Sequence, residues 1–473
     1  MDGHAIFCYT ARVMRITKNT KIVCTIGPAA NTPEAISAMI EAGMDVCRLN
    51  FSHGTYDQHA AMIVTIRAAA AKAGRHVALL QDLQGPKIRV GDLPQEGVQL
   101  VAGAETTFTT EHGAALPKIT VTWEHLHEDL KAGDHVLLDD GLLDVEVLRV
   151  EGRDIVTRVI TGGTLTSHKG FNLPTASLTV PAITDKDKED LKFGVAQGVD
   201  FIALSFVRDA KDIKELRALI DAAGDRKDVP IMIVSKIEKH EAIRNIDAII
   251  AESDGIMVAR GDLGIETPAE DVPIHQKRII DKCRKAGKPV IVATQMLDSM
   301  IRNPRPTRAE VSDVANAVID HTDAVMLSGE SASGKYPLEA VATMARIVHE
   351  TEASEFDDVD PHQHAAVTTA EDAASEAAAV LASDAGAKAI IVSTVSGRAA
   401  RVISRERPAL SIHAVAADDR VVRQLALSWG VSALPLAAGG SATDMLKGLK
   451  VVQAGDTVIT VGDDGAVSVR TLE

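Results

Sequence analysis

A lysine and two carboxylates follow two consecutive apolar runs of the sequence. Lys236 and Glu238 end one run, and Asp262 follows the next run, in the segment Ala259-Arg-Gly-Asp-Leu-Gly264. Two carboxylates together with substrate oxygens and water suit Mg²⁺ or Mn²⁺, because Mg²⁺ keeps several waters and takes phosphate oxygens as ligands. A lysine beside such a metal can neutralise charge on a phosphoryl group in transfer. These residues indicate metal-assisted phosphoryl transfer, and the alternative for Lys236 and Glu238 taken alone is a structural ion pair.

The other apolar runs also end in polar residues. These are Arg48, Asn50, Ser52, Asp82, Ser205, Arg260, Thr294, Ser328 and Glu330. Because a strand points alternate residues to the same side, residues two positions apart are expected to face one mouth if the strand geometry persists to its end. The pairs concerned are Lys236 and Glu238, Asn50 and Ser52, Arg260 and Asp262, and Ser328 and Glu330. The glycines on either side of Asp262 predict either a backbone that approaches an anion closely or a tight strand-to-helix turn.

Eight β-branched apolar runs, alternating with helical patterns, must position these residues. They cover residues 21–27, 45–51, 76–82, 200–206, 230–236, 255–261, 289–295 and 324–330. Near-continuous apolar runs are typical of strands that are covered on both faces. Clear helical patterns cover 33–42 and 274–286. The alternation predicts an α/β fold, a TIM (β/α)8 barrel, whose active sites form at the carboxyl ends of the strands.

Two segments depart from this alternation and predict further domains. Residues 88–182 are rich in Val, Thr and Gly, with hairpin signals at 138–142 and 151–152, which predicts a small β module inserted after the third strand. The barrel then comprises 15–87 and 183–350, and residues 1–14 are an N-terminal extension. Residues 351–473 are expected to form a C-terminal α/β domain, with strands at 389–394, 411–416 and 457–461. The stretch 352–376 shows no strand or helix period.

Composition excludes several partners. The formal net charge of −16 over 473 residues argues against nucleic acid or an anionic membrane as the main partner. No apolar run approaches the ~20 residues needed to span a bilayer. Four cysteines, Cys8, Cys24, Cys47 and Cys283, are scattered, which is typical of a reducing compartment. None of the 16 histidines has metal-ligand spacing, so no zinc site is expected. The sequence therefore predicts a cytoplasmic protein.

Seven segments of the sequence resemble motifs of the pyruvate kinase family, in the family's order. They are Lys21-Ile-Val-Cys-Thr-Ile-Gly-Pro28, Arg48-Leu-Asn-Phe-Ser-His-Gly54, Gly85-Pro-Lys-Ile-Arg89, Ser235-Lys-Ile-Glu238, Gly255-Ile-Met-Val-Ala-Arg-Gly-Asp-Leu-Gly264, Ala293-Thr-Gln-Met-Leu297 and Met326-Leu-Ser-Gly-Glu330. The resemblance covers the chain from about residue 15 to the end and is much weaker in the C-terminal domain. It implies transfer of a phosphoryl group from phosphoenolpyruvate to ADP, and a homotetramer.

The resemblance also implies roles for the residues that match these motifs. Glu238 and Asp262 would hold Mg²⁺ or Mn²⁺, and Lys236 would stabilise the phosphoryl group in transfer. The backbone at Gly261 and Asp262 and the Thr294 hydroxyl would bind the substrate carboxylate, and Arg48 would contact the phosphate. Thr294, Ser328 and Glu330 would organise protonation of the enolate, with the donor left open.

The inserted module would act as a β-barrel lid that brings residues to the nucleotide. Arg89 and Lys169 would reach ADP from this module, and Asn50 and His53 lie in the motif near the nucleotide. His53 has the equal alternative of a hydrogen-bonded turn histidine. A closed lid would exclude water that could otherwise accept the phosphoryl group.

Lys87 stands where many family members have an acidic residue. Those enzymes need K⁺, with ligands equivalent to Asn50, Ser52, Asp82 and the Leu83 carbonyl. A fixed ammonium can supply the positive charge of K⁺, so this chain is expected to work without K⁺. The alternative is that Lys87 points to solvent and K⁺ still binds.

The segment Thr394-Val-Ser-Gly-Arg398 resembles the phosphate-holding loop of the family's allosteric site. Thr394, Ser396, Gly397 and Arg398 are the candidate effector residues, because such a turn can cradle phosphate through backbone N–H groups. The final loop, residues 460–465, lacks the Gly-Thr-Asn signature common near the family's C-terminus. A plain folding and oligomerisation domain is the alternative.

Two other functions compete with the kinase. A metal-dependent barrel aldolase or lyase that acts on a pyruvate enolate would share the metal carboxylates and the cation, but would not need the lid with Arg89 and Lys169. A non-catalytic effector-binding homologue would require a broken active site, whereas Lys236, Glu238 and Asp262 are all present.

Overall fold

The computed structural model describes residues 17–176, 179–357, 369–436, 440–462 and 464–473. The expected N-terminal extension, with Cys8, and part of the stretch expected to be irregular lie outside these ranges. Cys24, Cys47 and Cys283 are free and buried, and burial raises the pKa of each thiol.

The chain begins with three parallel strands and two helices. The elements are β1 Lys21–Thr25, α1 Pro33–Ala42, β2 Val46–Asn50, α2 Tyr56–Lys72 and β3 Ala78–Asp82. Helix α1 has the predicted bounds because Thr32 caps its first turn and a proline occupies the first position. Thr55 and Gln58 form a capping box at the start of α2.

The inserted module is a β domain with its own core. Its elements are β4 Val98–Leu100, β5 Glu105–Thr109, β6 Lys118–Thr120, α3 Leu126–Asp129, β7 His135–Leu138, β8 Leu143–Glu151, β9 Asp154–Thr161, β10 Gly163–Leu165 and β11 Phe171–Asn172. They form a six-stranded sheet in the order β11-β7-β8-β9-β5-β6 and a two-stranded sheet of β10 and β4. The predicted turns join β7 to β8 and β8 to β9. Phe108 and Phe171 meet edge to face in the core.

The chain then returns to the barrel for five more strands. The elements are α4 Asp185–Gln197, β12 Phe201–Leu204, α5 Ala210–Ala222, β13 Met232–Ile237, α6 His240–Arg244, α7 Ile246–Glu252, β14 Gly255–Ala259, α8 Arg260–Glu266, α9 Val272–Lys285, β15 Val290–Ala293, α10 Arg308–Ile319, β16 Ala324–Leu327, α11 Gly329–Ala332 and α12 Pro337–Glu352.

Eight parallel strands close into a barrel, in the order β1-β16-β15-β14-β13-β12-β3-β2. Most of their residues are buried, because one face fills the barrel interior and the other packs on the surrounding helices. The predicted TIM barrel with an inserted β domain is therefore confirmed, and the carboxyl ends of the strands meet at one mouth.

A five-stranded sheet forms the C-terminal α/β domain, as predicted. Its elements are α13 Ala370–Asp384, β17 Ala389–Ser393, α14 Arg398–Arg405, β18 Ile412–Ala416, α15 Asp419–Gln424, β19 Val431–Pro435, α16 Ala442–Gly448, β20 Thr457–Val461 and β21 Val467–Thr471. The strand order is β19-β18-β17-β20-β21, with β21 antiparallel. The expectation of an irregular stretch to residue 376 is wrong at its end, because α13 begins at Ala370 behind a capping box of Thr369 and Asp372.

Within the described parts of the chain, no helix has the length and apolar character that crossing a membrane requires.

Candidate active site

The ammonium of Lys236 is the centre of a polar cluster at the barrel mouth. Its Nζ lies 2.9 Å from Glu238 Oε1 and 3.3 Å from Asp82 Oδ1, and donates to Ser205 Oγ at 2.7 Å. Arg48 joins the cluster, since its Nε lies 2.6 Å from Asp82 Oδ2. Two cationic side chains, Lys236 and Arg48, are thus fixed on one side of the mouth.

Strand register explains why these side chains meet. Leu204 of β12 lies opposite Ser235 of β13, so the following residues, Ser205 and Lys236, are side by side. Asn50 of β2 lies opposite Asp82 of β3 in the same way. Adjacent parallel strands therefore bring these residues, distant in sequence, to the same edge of the barrel.

The opposite charges of Lys236 and Asp82 keep both of these side chains ionised within the cluster. Burial acts to lower the pKa of Lys236, but the carboxylates of Asp82 and Glu238 outweigh it and raise that pKa above its ordinary value. Burial likewise acts to raise the pKa of Asp82, but Lys236 and Arg48 outweigh it and lower that pKa. An ammonium with a raised pKa stays charged across the neutral range.

Glu238 and Asp262 supply oxygens of the kind that a hard divalent cation prefers. Glu238 is buried, and its Oε2 accepts a hydrogen bond of 2.7 Å from the Phe206 N–H. Burial raises the pKa of Glu238, with Lys236 opposing and Asp262 adding to the rise. Among the described residues no group of three or more His, Cys, Asp or Glu side chains could hold a metal. A metal held by these two carboxylates therefore needs ligands from substrate and water, as Mg²⁺ does.

Arg260 and Asp262 are not neighbours on a strand, because the strand geometry does not persist to their positions. Strand β14 ends at Ala259 and α8 begins at Arg260, so the alternation of a strand does not apply. Arg260 instead turns to Asp313 with two contacts of 2.7 Å and donates to the Thr294 carbonyl at 2.9 Å. Arg260 and Asp262 nevertheless line the same open cleft as Thr294.

The Thr294 backbone is held in an unusual conformation beside Gly261. Its φ is 78°, a left-handed value that is a genuine outlier for a β-branched residue. A Cβ added at Gly261 would lie 2.7 Å from Thr294 Cγ2, so only glycine fits there. The bond from Arg260 to the Thr294 carbonyl helps to fix this backbone. Such local strain is typical of functional sites.

Ser328 and Glu330 also lie in a strand-to-helix turn rather than on one strand. Strand β16 ends at Leu327 and α11 begins at Gly329. The buried Glu330 carboxylate accepts from the Leu297 N–H at 3.0 Å and from the Ser328 N–H at 2.8 Å. Glu330 therefore ties the Ser328 turn to the loop that follows Thr294.

The residues expected around K⁺ already have protein partners. Asn50 Oδ1 accepts from the Ser52 N–H at 3.1 Å, and Asp82 is paired with Arg48 and Lys236. The Leu83 carbonyl accepts from Ser205 Oγ at 2.7 Å. The ion pair of Lys87 is with Asp262, at 3.6 Å, rather than with Asp82. The ammonium of Lys87 thus lies on the Asp262 side of the mouth.

Three of the nucleotide candidates make local contacts within the chain. Arg89 donates to the His168 carbonyl at 2.9 Å, and Lys169 pairs with Asp139 at 2.7 Å in the inserted domain. His53 is exposed, and its carbonyl oxygen lies 2.9 Å from His59 Nε2. That contact uses the backbone of His53 and leaves its ring at the surface.

The candidate effector segment forms a tight turn before α14. The Gly397 N–H donates to Thr394 Oγ1 at 2.9 Å, and the Arg398 N–H lies 3.3 Å from Ser396 Oγ. Gly397 has a φ of 78°. Side chains of the turn therefore already accept two of its N–H groups.

Sequence reasoning gave no role to two groups that shape the site. Ser205 bridges Lys236 to the Leu83 carbonyl, and the Phe206 N–H orients Glu238. The position of Ser205 at a strand end is the one signal that could have indicated its role.

Comparisons with known proteins agree with this architecture. The barrel-domain model of pyruvate kinase matches residues 17–341, and the model of the pyruvate kinase alpha/beta domain matches residues 372–471. The pyruvate kinase of Bacillus licheniformis is 46% identical over 96% of this chain and 80% of its own. Pyruvate kinase 2 of Synechocystis is 50% identical over 89% of this chain and 71% of its own. The crystal structure of a Cryptosporidium parvum pyruvate kinase has a TM-score of 0.91 at 38% identity, covering 96% of each chain.

Proposed function

The chain belongs to the pyruvate kinase family and is a phosphotransferase, and from this premise we propose that it moves the phosphoryl group of phosphoenolpyruvate to ADP. The bond between phosphorus and the enol oxygen breaks, and its electron pair stays on that oxygen. A bond forms between phosphorus and a β-phosphate oxygen of ADP, which gives ATP. The remaining enolate takes up a proton on carbon and becomes pyruvate.

The observation that carries this proposal is the Lys236 ammonium, which is buried between Asp82 and Glu238. A fixed cation at this position neutralises charge on the phosphoryl group in transfer, and Arg48 provides a second one. Mg²⁺ or Mn²⁺ held by Glu238 and Asp262 would supply Lewis-acid stabilisation of the same charge.

The remaining roles concern orientation. The N–H groups of Gly261 and Asp262 and the Thr294 hydroxyl would hold the substrate carboxylate. Glu330 would position Ser328 through its N–H, and Thr294 and Ser328 would organise the water that protonates the enolate. Arg89 and Lys169 of the inserted domain would bind the nucleotide with Asn50 and His53, and the domain would close as a lid against water.

Pyruvate formation from phosphoenolpyruvate, ADP and Mg²⁺ tests the proposal. We expect turnover that requires all three components. Cleavage of a larger keto acid to pyruvate, with no need for phosphoenolpyruvate or ADP, would favour the aldolase or lyase instead. An absence of both activities would favour the effector-binding homologue.

The domain boundaries, the cellular location and the partners of the protein are part of the same proposal. We place the barrel at 15–87 and 183–350, the lid at 88–182 and the C-terminal domain at 351–473, after an extension at 1–14. The protein would work in the cytoplasm as a homotetramer without nucleic-acid or membrane partners. Thr394, Ser396, Gly397 and Arg398 would form an effector site.

Wild-type turnover is expected to change less than about 2-fold when K⁺ is added to a K⁺- and NH₄⁺-free buffer. The support is charge: Arg48 and Lys236 already pair with Asp82, and Lys87 brings a third cation to the mouth. The Lys87→Gln variant loses that cation, so its turnover is expected to rise about 10-fold or more with K⁺.

Initial rates in KCl, compared with tetramethylammonium chloride at equal ionic strength, separate K⁺ from salt. The exposed Lys72→Gln variant on α2 is the matched control and should behave as wild type. A many-fold response of the wild type to K⁺ would show that K⁺ binds and Lys87 does not replace it.

Gly261→Ala is expected to lower kcat/KM for phosphoenolpyruvate about 100-fold. The new methyl group would displace Thr294, which Arg260 holds in place, and misplacement by about 1 Å can cost that factor. Gly264→Ala is the control, because its Cβ would meet only Val272 at an ordinary 3.6 Å. Steady-state kinetics of both variants measure the effect, and equal kinetics for the two would refute the Thr294 contact.

A further inference from the structure

A basic cleft lies where the barrel meets the C-terminal domain, away from the barrel mouth. The end of α9, the turn into β15 and the start of β16 line it from the barrel, and the end of α14 lines it from the other domain. Five of its lining side chains are cationic and one is a carboxylate, Asp323: the cations are Arg284, Lys288, Arg401, Arg405 and Arg407.

Asp323 is already engaged by the protein. Its Oδ2 lies 3.3 Å from Arg407 and accepts from the Val290 N–H at 3.1 Å. Its Oδ1 accepts from the Trp429 N–H at 3.1 Å. Arg284 pairs instead with Asp281, at 3.7 Å, whose carboxylate does not line the cleft.

The guanidinium of Arg405 is only partly satisfied. It is 5% exposed, and it contacts Glu406 at 2.6 Å through Nε and Asp372 at 3.3 Å through Nη1. Within the described residues its Nη2 is buried and has no hydrogen-bond partner.

Two further buried donors of the cleft, one on Arg407 and one on Ser428, also have no hydrogen-bond partner among the described residues. Arg407 bonds the Ser404 and His321 carbonyls through Nη1 and Nη2, and burial lowers its pKa. Its Nε, and the Oγ of the 2% exposed Ser428, have no partner in the part of the chain that the structure describes. Leaving buried polar groups unpaired costs about 1–3 kcal/mol each, and more for charged ones.

We propose that this cleft binds a phosphate-class oxyanion, held by Arg405, Arg407 and Ser428. Guanidinium groups and a hydroxyl are the donors that phosphate oxygens accept from, and guanidinium geometry matches such anions. The anion would satisfy the three donors that have no hydrogen-bond partner among the described residues. Because its contacts come from both sides of the junction, it would hold the C-terminal domain against the barrel.

The dimensions of the cleft restrict the ligand to a small head group. Including its open mouth the cleft measures about 210 Å³. One oxygen would therefore lie deep, with the others towards the mouth. Free phosphate and the phosphate of a small phosphomonoester share this chemistry.

The cleft is distinct from the candidate effector turn. That turn precedes α14, whereas Ser404 and Arg405 lie at the other end of this eight-residue helix. Arg401 connects the two, since it lines the cleft and donates to the Ser396 carbonyl at 3.3 Å.

Calorimetry with inorganic phosphate tests the proposal in a Lys236→Met, Ser396→Asp background, which disables the active site and the effector turn. We expect one site per chain and a phosphate-dependent rise in melting temperature. Arg405→Met should weaken phosphate binding about 10-fold or more, since a charged hydrogen bond is lost. Ser428→Ala, which removes no hydrogen bond among the residues that the structure describes, should weaken it about 3-fold. The exposed Arg346→Met is the control and should not change binding.

The same titration with glycerol 3-phosphate distinguishes the two sources of the anion, free phosphate and a phosphomonoester. Tighter binding than inorganic phosphate would identify a phosphomonoester, and weaker binding would identify the free ion. Crystals grown with selenate should show anomalous density between Arg405 and Arg407. No binding to the background protein, binding that both cleft variants retain, or a water at that position would overturn the proposal.

Discussion

Lys236→Met is expected to reduce turnover by about 10²–10³-fold. The substitution keeps the length of the side chain but removes the ammonium, which lies 2.9 Å from Glu238 and 2.7 Å from Ser205. Loss of one preorganised charged group at a site of developing charge costs about 10²–10³ in kcat. Because the raised pKa keeps Lys236 charged near neutral pH, the wild-type rate should show no loss from this group between pH 6 and 9. Steady-state pyruvate formation measures both effects.

Folding must be separated from catalysis in this variant. Removing Lys236 leaves the buried Asp82 and Glu238 with less positive charge, and breaking a buried pair can cost about 3–5 kcal/mol of stability. Circular dichroism melts therefore accompany the kinetics, and Lys236→Arg keeps the charge in a different geometry. Lys192→Met, at an exposed pair with Glu189, is the control with full activity. A folded Lys236→Met variant with near wild-type turnover would contradict the role of the ammonium.

Most of the fold could be predicted because buried parallel strands leave a strong signal. All eight barrel strands are apolar runs of four to six residues, and a capping threonine and a proline mark the start of α1. Strands β19 and β21 were not predicted. Both are edge strands with exposed residues, so burial imposes no continuous apolar pattern on them.

Helix α13 illustrates a second limit. It is dominated by alanine, which is small enough for either face of a helix, so its apolar period is weak. The signal that remained was the capping box of Thr369 and Asp372. Local capping chemistry was therefore more informative here than periodicity.

The site was predictable where strand register sets it and unpredictable where turns do. The proximity of Lys236 to Glu238 follows from their spacing at the end of β13. Arg260 and Asp262 lie at the start of a helix rather than on a strand, and no periodic pattern specifies that boundary. Lys87 pairs with Asp262 because its long side chain reaches a carboxylate that folding brings nearby. The direction in which such a side chain points depends on tertiary packing rather than on the spacing of residues in the sequence.

Glu238→Gln and Asp262→Asn are each expected to weaken Mg²⁺ or Mn²⁺ binding about 100-fold. Each amide keeps the shape of the side chain and removes one of the two anionic ligands. Even substitutions of residues that only support the metal ligands typically cost about 10–100-fold in metal affinity. Because burial raises the pKa of Glu238, protons compete with the metal, so the apparent affinity should also fall as pH falls.

Mn²⁺ binding followed by electron paramagnetic resonance, with phosphoenolpyruvate present, measures this affinity without relying on turnover. The exposed Glu189→Gln variant is the control and should bind as wild type. Excess Mg²⁺ should restore part of the activity of Asp262→Asn, because the 31% exposed side chain of Asp262 lies in the open cleft. It should restore less in Glu238→Gln, whose side chain is 1% exposed and also interacts with Lys236. Unchanged Mn²⁺ affinity in both variants would place the metal elsewhere and leave these carboxylates as partners of Lys236 and Lys87 alone.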